Sequence, residues 1–570
     1  MAHYSRQAFT LPALALVLAA CEPTPSTGNP DASTPATCDL PSPAVACTGA
    51  SCTTVTGTKT FGQATLPADK GWLAVAWTSS EVYAANDTRT LYYSLTGPGG
   101  LMARSEREKT MDPVLAEMLR HNAARLDFEK ALREITVKGP ILGDTRGTAI
   151  RAVDLLPPGV KKQVAACTAG APSPCGDTAV CVIPEGMTAG TCSSMLTVKF
   201  YGLGPAATDV TAQVVKAGSK GAIIVDTADL AKVSAADATA LLTKFDQHIA
   251  PRDHQIFGEP TIAGKDRDGN GVVLFFFTSR VDAVRPGTGL VGYFFSDDMR
   301  PTADVAHSNA ADLLYLQPPG ANVSMEALAG TIAHEYQHLI NFSSKVLKNS
   351  SSQEEVWLDE GLATFAEDIN GYGVDAFANV GAYLSAAGST SLTGSDSLET
   401  RGLAHLFVRY MFEQAGGATF SGPGAGTDKG GIAAVKAMVQ GPETGVDALL
   451  KGASGRTLHA LVGDVMTTIA LDGASDPNLT CTAKYALDGP ETDDYTNGQR
   501  GFHLRGTVPG RNGATVTLRG PSYSELTTDG SAVPLNGGEL VDIPASSMER
   551  RFAVGAASDD TVGLRIVPKP

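Results

Sequence analysis

Thr331-Ile332-Ala333-His334-Glu335-Tyr336-Gln337-His338-Leu339 decides how this chain is read. Helical spacing of i and i+4 sets the two imidazoles on one face, where two ring nitrogens can share one zinc ion. Glu335, one residue round from His334, then stands beside the metal's open position, where a carboxylate can take a proton from water. The flanking residues predict the helix independently. Ser324 is a candidate N-cap, Glu326 puts an acid in the first turn, and Met325, Leu328, Ile332 and Leu339 form an apolar stripe.

A structural zinc site closes with four protein ligands, whereas a catalytic one uses three and leaves a place for water. The third ligand is sought downstream, in Val356-Trp357-Leu358-Asp359-Glu360-Gly361-Leu362-Ala363-Thr364-Phe365-Ala366-Glu367-Asp368. Leu358, Leu362, Phe365 and Ile369 recur at helical spacing and predict a second helix packed by that face. Glu360 falls off the apolar stripe and is the candidate ligand; the competing reading is a solvated carboxylate.

The stretch from Tyr293 to about Gly417 resembles the hyicolysin family of zinc metallopeptidases, within the Glu-ligand zincin group that includes thermolysin. The matching pieces are His307-Ser308-Asn309-Ala310-Ala311-Asp312-Leu313-Leu314-Tyr315, the His334–His338 motif, Trp357-Leu358-Asp359-Glu360-Gly361-Leu362-Ala363 and Gly402-Leu403-Ala404-His405-Leu406-Phe407. The resemblance implies endopeptidase activity on polypeptides, with His334, His338 and Glu360 as zinc ligands and Glu335 as general base. It also implies an α+β fold: a zincin-type core with a mainly helical active-site subdomain. Related enzymes place a Tyr or His on a later helix against the oxyanion. This chain has Arg401 before Gly402, and Arg401 and His405 are both candidates for that role. For His405 the alternative is a core histidine.

Upstream, Asp266-Arg267-Asp268-Gly269-Asn270-Gly271 has the alternating oxygen donors and glycine that open a calcium loop. Position 12 holds Phe277 rather than Glu, so this is no EF-hand. Asp266, Asp268 and Asn270 are candidate calcium ligands, and a plain β-turn ahead of a strand competes with them, because no third acid is in view.

The 570 residues exceed what one core usually organises, so several regions are expected. Residues 1–20 have the positive and apolar blocks of an export signal, ending Leu18-Ala19-Ala20-Cys21 as in a bacterial lipobox. Cys21 is the candidate lipidation site and membrane anchor, on a low-complexity tether over 21–56. Eight cysteines remain beyond it, and Cys167, Cys175, Cys181 and Cys192 are expected to pair as disulfides. A β-rich region with helices is assigned to 57–195, the catalytic region to 196–475 and a β-sandwich to 476–570.

A formal charge of −16 argues against nucleic acid as a partner. Neither a Gly-x-Ser-x-Gly elbow nor a phosphate-binding loop occurs. Two alternatives to an endopeptidase stand: an exopeptidase of the same zinc class, and a catalytically weak or inactive surface binding protein on the same fold. No oligomeric state follows from the sequence.

Overall fold

Strands buried on both faces must be apolar at every position. Ala222-Ile223-Ile224-Val225, Val273–Phe277 and Leu313–Leu316 meet that demand, and all of them are buried. A computed structural model of the chain describes residues 45–46, 59–96, 112–138, 147–153, 165–168, 175–472 and 503–569, apart from breaks of one to five residues. In it these three strands are the parallel centre of a seven-stranded mixed sheet. Gly292–Phe294 pairs antiparallel with Leu313–Leu316 and forms one edge; Thr208–Ala217, Met195–Phe200 and the short Arg151–Ala152 continue to the other. The period of two along each strand divides the side chains between two cores. Ile223, Val225, Phe275, Phe277 and Leu314 pack on the helices, whereas Ile224, Leu274, Phe276, Leu313 and Tyr315 pack on the opposite face.

The motif helix runs Met325–Phe342, and the Ser324 hydroxyl accepts a hydrogen bond from Ala327 N–H at 3.1 Å, as its cap position predicts. Leu328, Ile332 and Leu339 are buried, and Met325 packs at the margin of the same core. The ligand helix, Val356–Ile369, lies against it, backed by helices Val374–Ser385 and Leu398–Gln414. Two glycines permit that stacking. A Cβ on Gly402 would stand 2.1 Å from the Asn379 carbonyl oxygen, and one on Gly361 would stand 2.9 Å from Ala404 Cβ. Gly402→Ala is therefore expected to push two helices apart at a cost of about 1–3 kcal/mol, measured as a drop in denaturation midpoint. An unchanged midpoint would show that the helices have slack.

The first strands and the last ones share sheets. Trp72–Thr78 is flanked on one side by Gly537–Ile543 and on the other by Val562–Pro568, both antiparallel. Lys59–Leu66 and Thr88–Thr96 likewise flank Arg550–Ala556. So the strands assigned to an N-terminal β-rich region and those assigned to a C-terminal sandwich interleave in the same two sheets. Their inner faces meet through Trp72, Leu91, Tyr93, Val541, Phe552 and Ile566. Leu73, Val75 and Trp77 point the other way and join the main core, against helix Leu458–Leu471.

Disulfides link Cys167 to Cys181 and Cys175 to Cys192, stapling a three-stranded sheet. The readings for Cys21, Cys38, Cys47, Cys52 and Cys481 fall outside the described residues, as does all of the 21–56 tether except Val45–Ala46, which, contrary to a low-complexity tether, form a short strand paired antiparallel with Lys59–Leu66. No helix among the described residues is long and apolar enough to cross a membrane.

Candidate metal centre

His334 and His338 share a face of the motif helix, and their Nε2 atoms lie 3.1 Å apart. Glu360 reaches them from the ligand helix, with Oε2 3.5 Å from His334 Nε2 and Oε1 3.9 Å from His338 Nε2. These three side chains form a group that could hold a metal ion. A tetrahedral site with metal–nitrogen bonds of about 2.0–2.1 Å spaces its donors about 3.3 Å apart, so the trio fits without rearrangement.

Outer carboxylates flank both rings. Glu367 Oε1 lies 2.6 Å from His334 Nδ1, and Asp359 Oδ2 lies 3.0 Å from His338 Nδ1. Glu367 can hold an Nδ1 proton on His334 and leave its Nε2 lone pair for a metal, while Asp359 sets a negative charge beside His338 Nδ1, which makes no hydrogen bond in this arrangement. Glu367 follows Glu360 by seven residues, two helical turns, and so shares its face. Burial works against a charged His338, but Asp359, Glu360 and Glu335 outweigh it and push its pKa up to about 10. The centre attracts positive charge.

Burial also opposes ionisation of Glu360, but Arg401, His334, His338 and Arg133 hold its carboxyl well below the usual range. Arg401 Nη1 sits 2.9 Å from Glu360 Oε2 and 2.6 Å from Glu129, while Arg133 Nη1 sits 2.7 Å from Glu360 Oε1. Arg401 further grips Asp396 through Nε and Nη2, at 2.8 and 3.0 Å. It thus braces Glu360 from behind and does not line the cavity. His405 is likewise displaced from the oxyanion role considered for it: fully buried, it faces Asp368 at 3.1 Å, beside Arg409, away from the cavity wall.

Glu335 is buried, which raises its pKa even though His334 and His338 pull it down. Its Oε2 accepts the Phe294 backbone N–H at 2.9 Å, which ties the motif helix to the edge strand. Its Oε1 is buried with no hydrogen-bond partner. One oxygen is anchored and the other is available.

Helix Pro113–Ile135 supplies residues that no local signal marked. Arg125, Glu129 and Arg133 recur every fourth residue and line its face toward the centre. Arg125 reaches Glu367 at 3.2 Å and Glu129 at 3.3 Å. Glu129, Leu132 and Arg133 line a cavity of about 100 Å³ together with Glu335, His338 and Glu360.

No family model matches the chain. Over 133 residues it is 33% identical to the neutral metalloprotease ShpI of Staphylococcus hyicus, a stretch covering 22% of this chain and 29% of that protein. The chain therefore spans less than a third of the length of this relative.

Proposed function

We propose that the chain is a zinc-dependent endopeptidase, with His334, His338 and Glu360 as ligands and Glu335 as general base. The observation that carries this reading is the state of Glu335: one oxygen fixed by Phe294 N–H, the other buried and unpartnered beside three metal-ligating side chains. An unpartnered buried carboxylate oxygen is uncommon, and this one adjoins the candidate ligands. Two imidazoles and one carboxylate are a catalytic donor set for zinc, leaving a position open. The identity to a neutral metalloprotease supports the same class.

When bound, zinc supplies Lewis-acid polarisation of the scissile carbonyl and acidifies the water beside it. Glu335 accepts that water's proton at Oε1 and returns it to the leaving amine. Glu367 keeps the His334 imidazole in the ligating tautomer, and Asp359 holds a negative charge beside the His338 ring. Gly292–Phe294 forms the sheet edge next to the cavity, and an extended polypeptide can add to such an edge by main-chain hydrogen bonds.

The test is metal analysis of the purified chain combined with hydrolysis of casein. About one zinc per chain is expected, with internal cleavage that stops on chelation and returns with zinc. Bound zinc without any cleavage would favour the binding-protein reading. Release of terminal residues alone, seen by mass spectrometry, would favour an exopeptidase.

A further inference from the structure

The geometry points to a second cation site, built from Asp266, Asp268 and Asp312, that takes a hard divalent ion such as calcium and pins the starts of two central strands. This is independent of the zinc reading. From residues 266–271 alone the turn lacks a third acid. The fold brings one from elsewhere: Asp312 stands at the head of strand Leu313–Leu316, and its carboxylate closes over the turn. One oxygen from each of the three aspartates lies within 4.8 Å of the others. Ions with oxygen bonds of about 2.3–2.6 Å bridge that span.

Internal hydrogen bonds account for part of the cluster. Asp266 accepts Gly271 N–H at 2.6 Å, and Asp268 accepts Asn270 N–H at 3.1 Å and Asn270 Nδ2 at 2.8 Å. Asp312 Oδ2 accepts Arg267 N–H at 2.7 Å. Asp312 Oδ1 remains: it is fully buried and has no hydrogen-bond partner. An orphaned buried carboxylate oxygen costs free energy unless a cation or a proton meets it. Arg267 directs its guanidinium to the Met299 carbonyl at 2.7 Å and to Glu185 at 3.5 Å. Burial and the neighbouring aspartates push Asp268 and Asp312 well above the usual carboxylate range, against the pull of Arg267, so without a cation they favour holding protons, which a divalent ion would displace.

An all-oxygen donor set suits calcium better than a transition metal. The location gives the ion a task. Asp268 leads into Val273–Phe277, Asp312 leads into Leu313–Leu316, and the Asp312 carbonyl accepts Leu274 N–H at 2.8 Å where the two strands begin to pair. An ion held between these carboxylates fastens the two strand starts together.

Calorimetric titration of the dialysed full chain with calcium chloride tests this, with melting curves alongside. One calcium per chain is expected, with Kd of about 10⁻⁴–10⁻³ M, and Tm rising by a few degrees at about 10 mM calcium. Asp312→Asn keeps the acceptor for Arg267 N–H but removes a charge. It should weaken calcium binding at least about tenfold and, in calcium-free buffer, raise Tm by relieving repulsion. Asp268→Asn should weaken binding in the same way, so the site is still probed if one variant fails to fold. No heat and no shift with the unmodified chain at about 10 mM calcium would overturn the proposal, as would undiminished binding in a folded variant.

Discussion

Glu335→Gln is expected to keep its metal and lose hydrolysis by about 10²–10⁴-fold. Glutamine is nearly the same shape, and its amide oxygen can go on accepting Phe294 N–H, so the motif helix stays tied to the edge strand. What disappears is the ability to take a proton at the second oxygen. His334, His338 and Glu360 are untouched, so metal analysis should still find about one equivalent. Together the two measurements separate a lost base from a lost site. A variant within tenfold of the parent in kcat/KM would remove Glu335 from the mechanism.

Glu360→Ala should abolish stoichiometric metal instead, because two imidazoles alone seldom retain it. The substitution also takes a carboxylate from two arginines. Arg401 keeps Glu129 and Asp396, and Arg133 keeps Asp396, so the penalty should stay below the roughly 3–5 kcal/mol of stranding a buried charge entirely. Glu360→Gln can still accept from one arginine and serves as the control that folds. Glu367→Ala gives an intermediate: it frees the His334 ring without removing a ligand, and metal affinity should fall about 10–100-fold. Retention of one equivalent of metal by a folded Glu360→Ala would sink the third-ligand assignment.

Local periodicity made part of this protein legible. His334, Glu335 and His338 could be read because four residues on a helix suffice to state their relation. The strand after the Asp266 turn was legible because the run Val273–Phe277 admits no polar face. Glu367 and Asp359 were harder, since a helix carboxylate beside a solvated face looks no different from one holding an imidazole. Arg125, Glu129 and Arg133 illustrate the limit. A charged stripe at every fourth position ordinarily faces water, and here Arg125 and Glu129 are buried and Arg133 half-buried against the candidate metal centre some two hundred residues downstream. Asp312 and the strand partners of Trp72–Thr78 were invisible for the same reason: pairing across long separations leaves no mark in either segment.

That strand carries a further consequence, which concerns the order in which the molecule is made. Trp72–Thr78 is buried at all seven positions, yet both of its neighbours come from residues 537–568. During synthesis it emerges early and waits, with apolar side chains on both faces, until about 460 further residues have been made and its partners appear. Contacts of such high sequence separation form slowly and leave a nascent chain prone to mispairing. Leu73, Val75 and Trp77 belong to the main core, so that core too lacks part of its wall until Val562–Pro568 arrives. Val562–Pro568 works as a latch, and a chain stopped just short of it would hold its candidate metal-ligating residues in a body that has not closed.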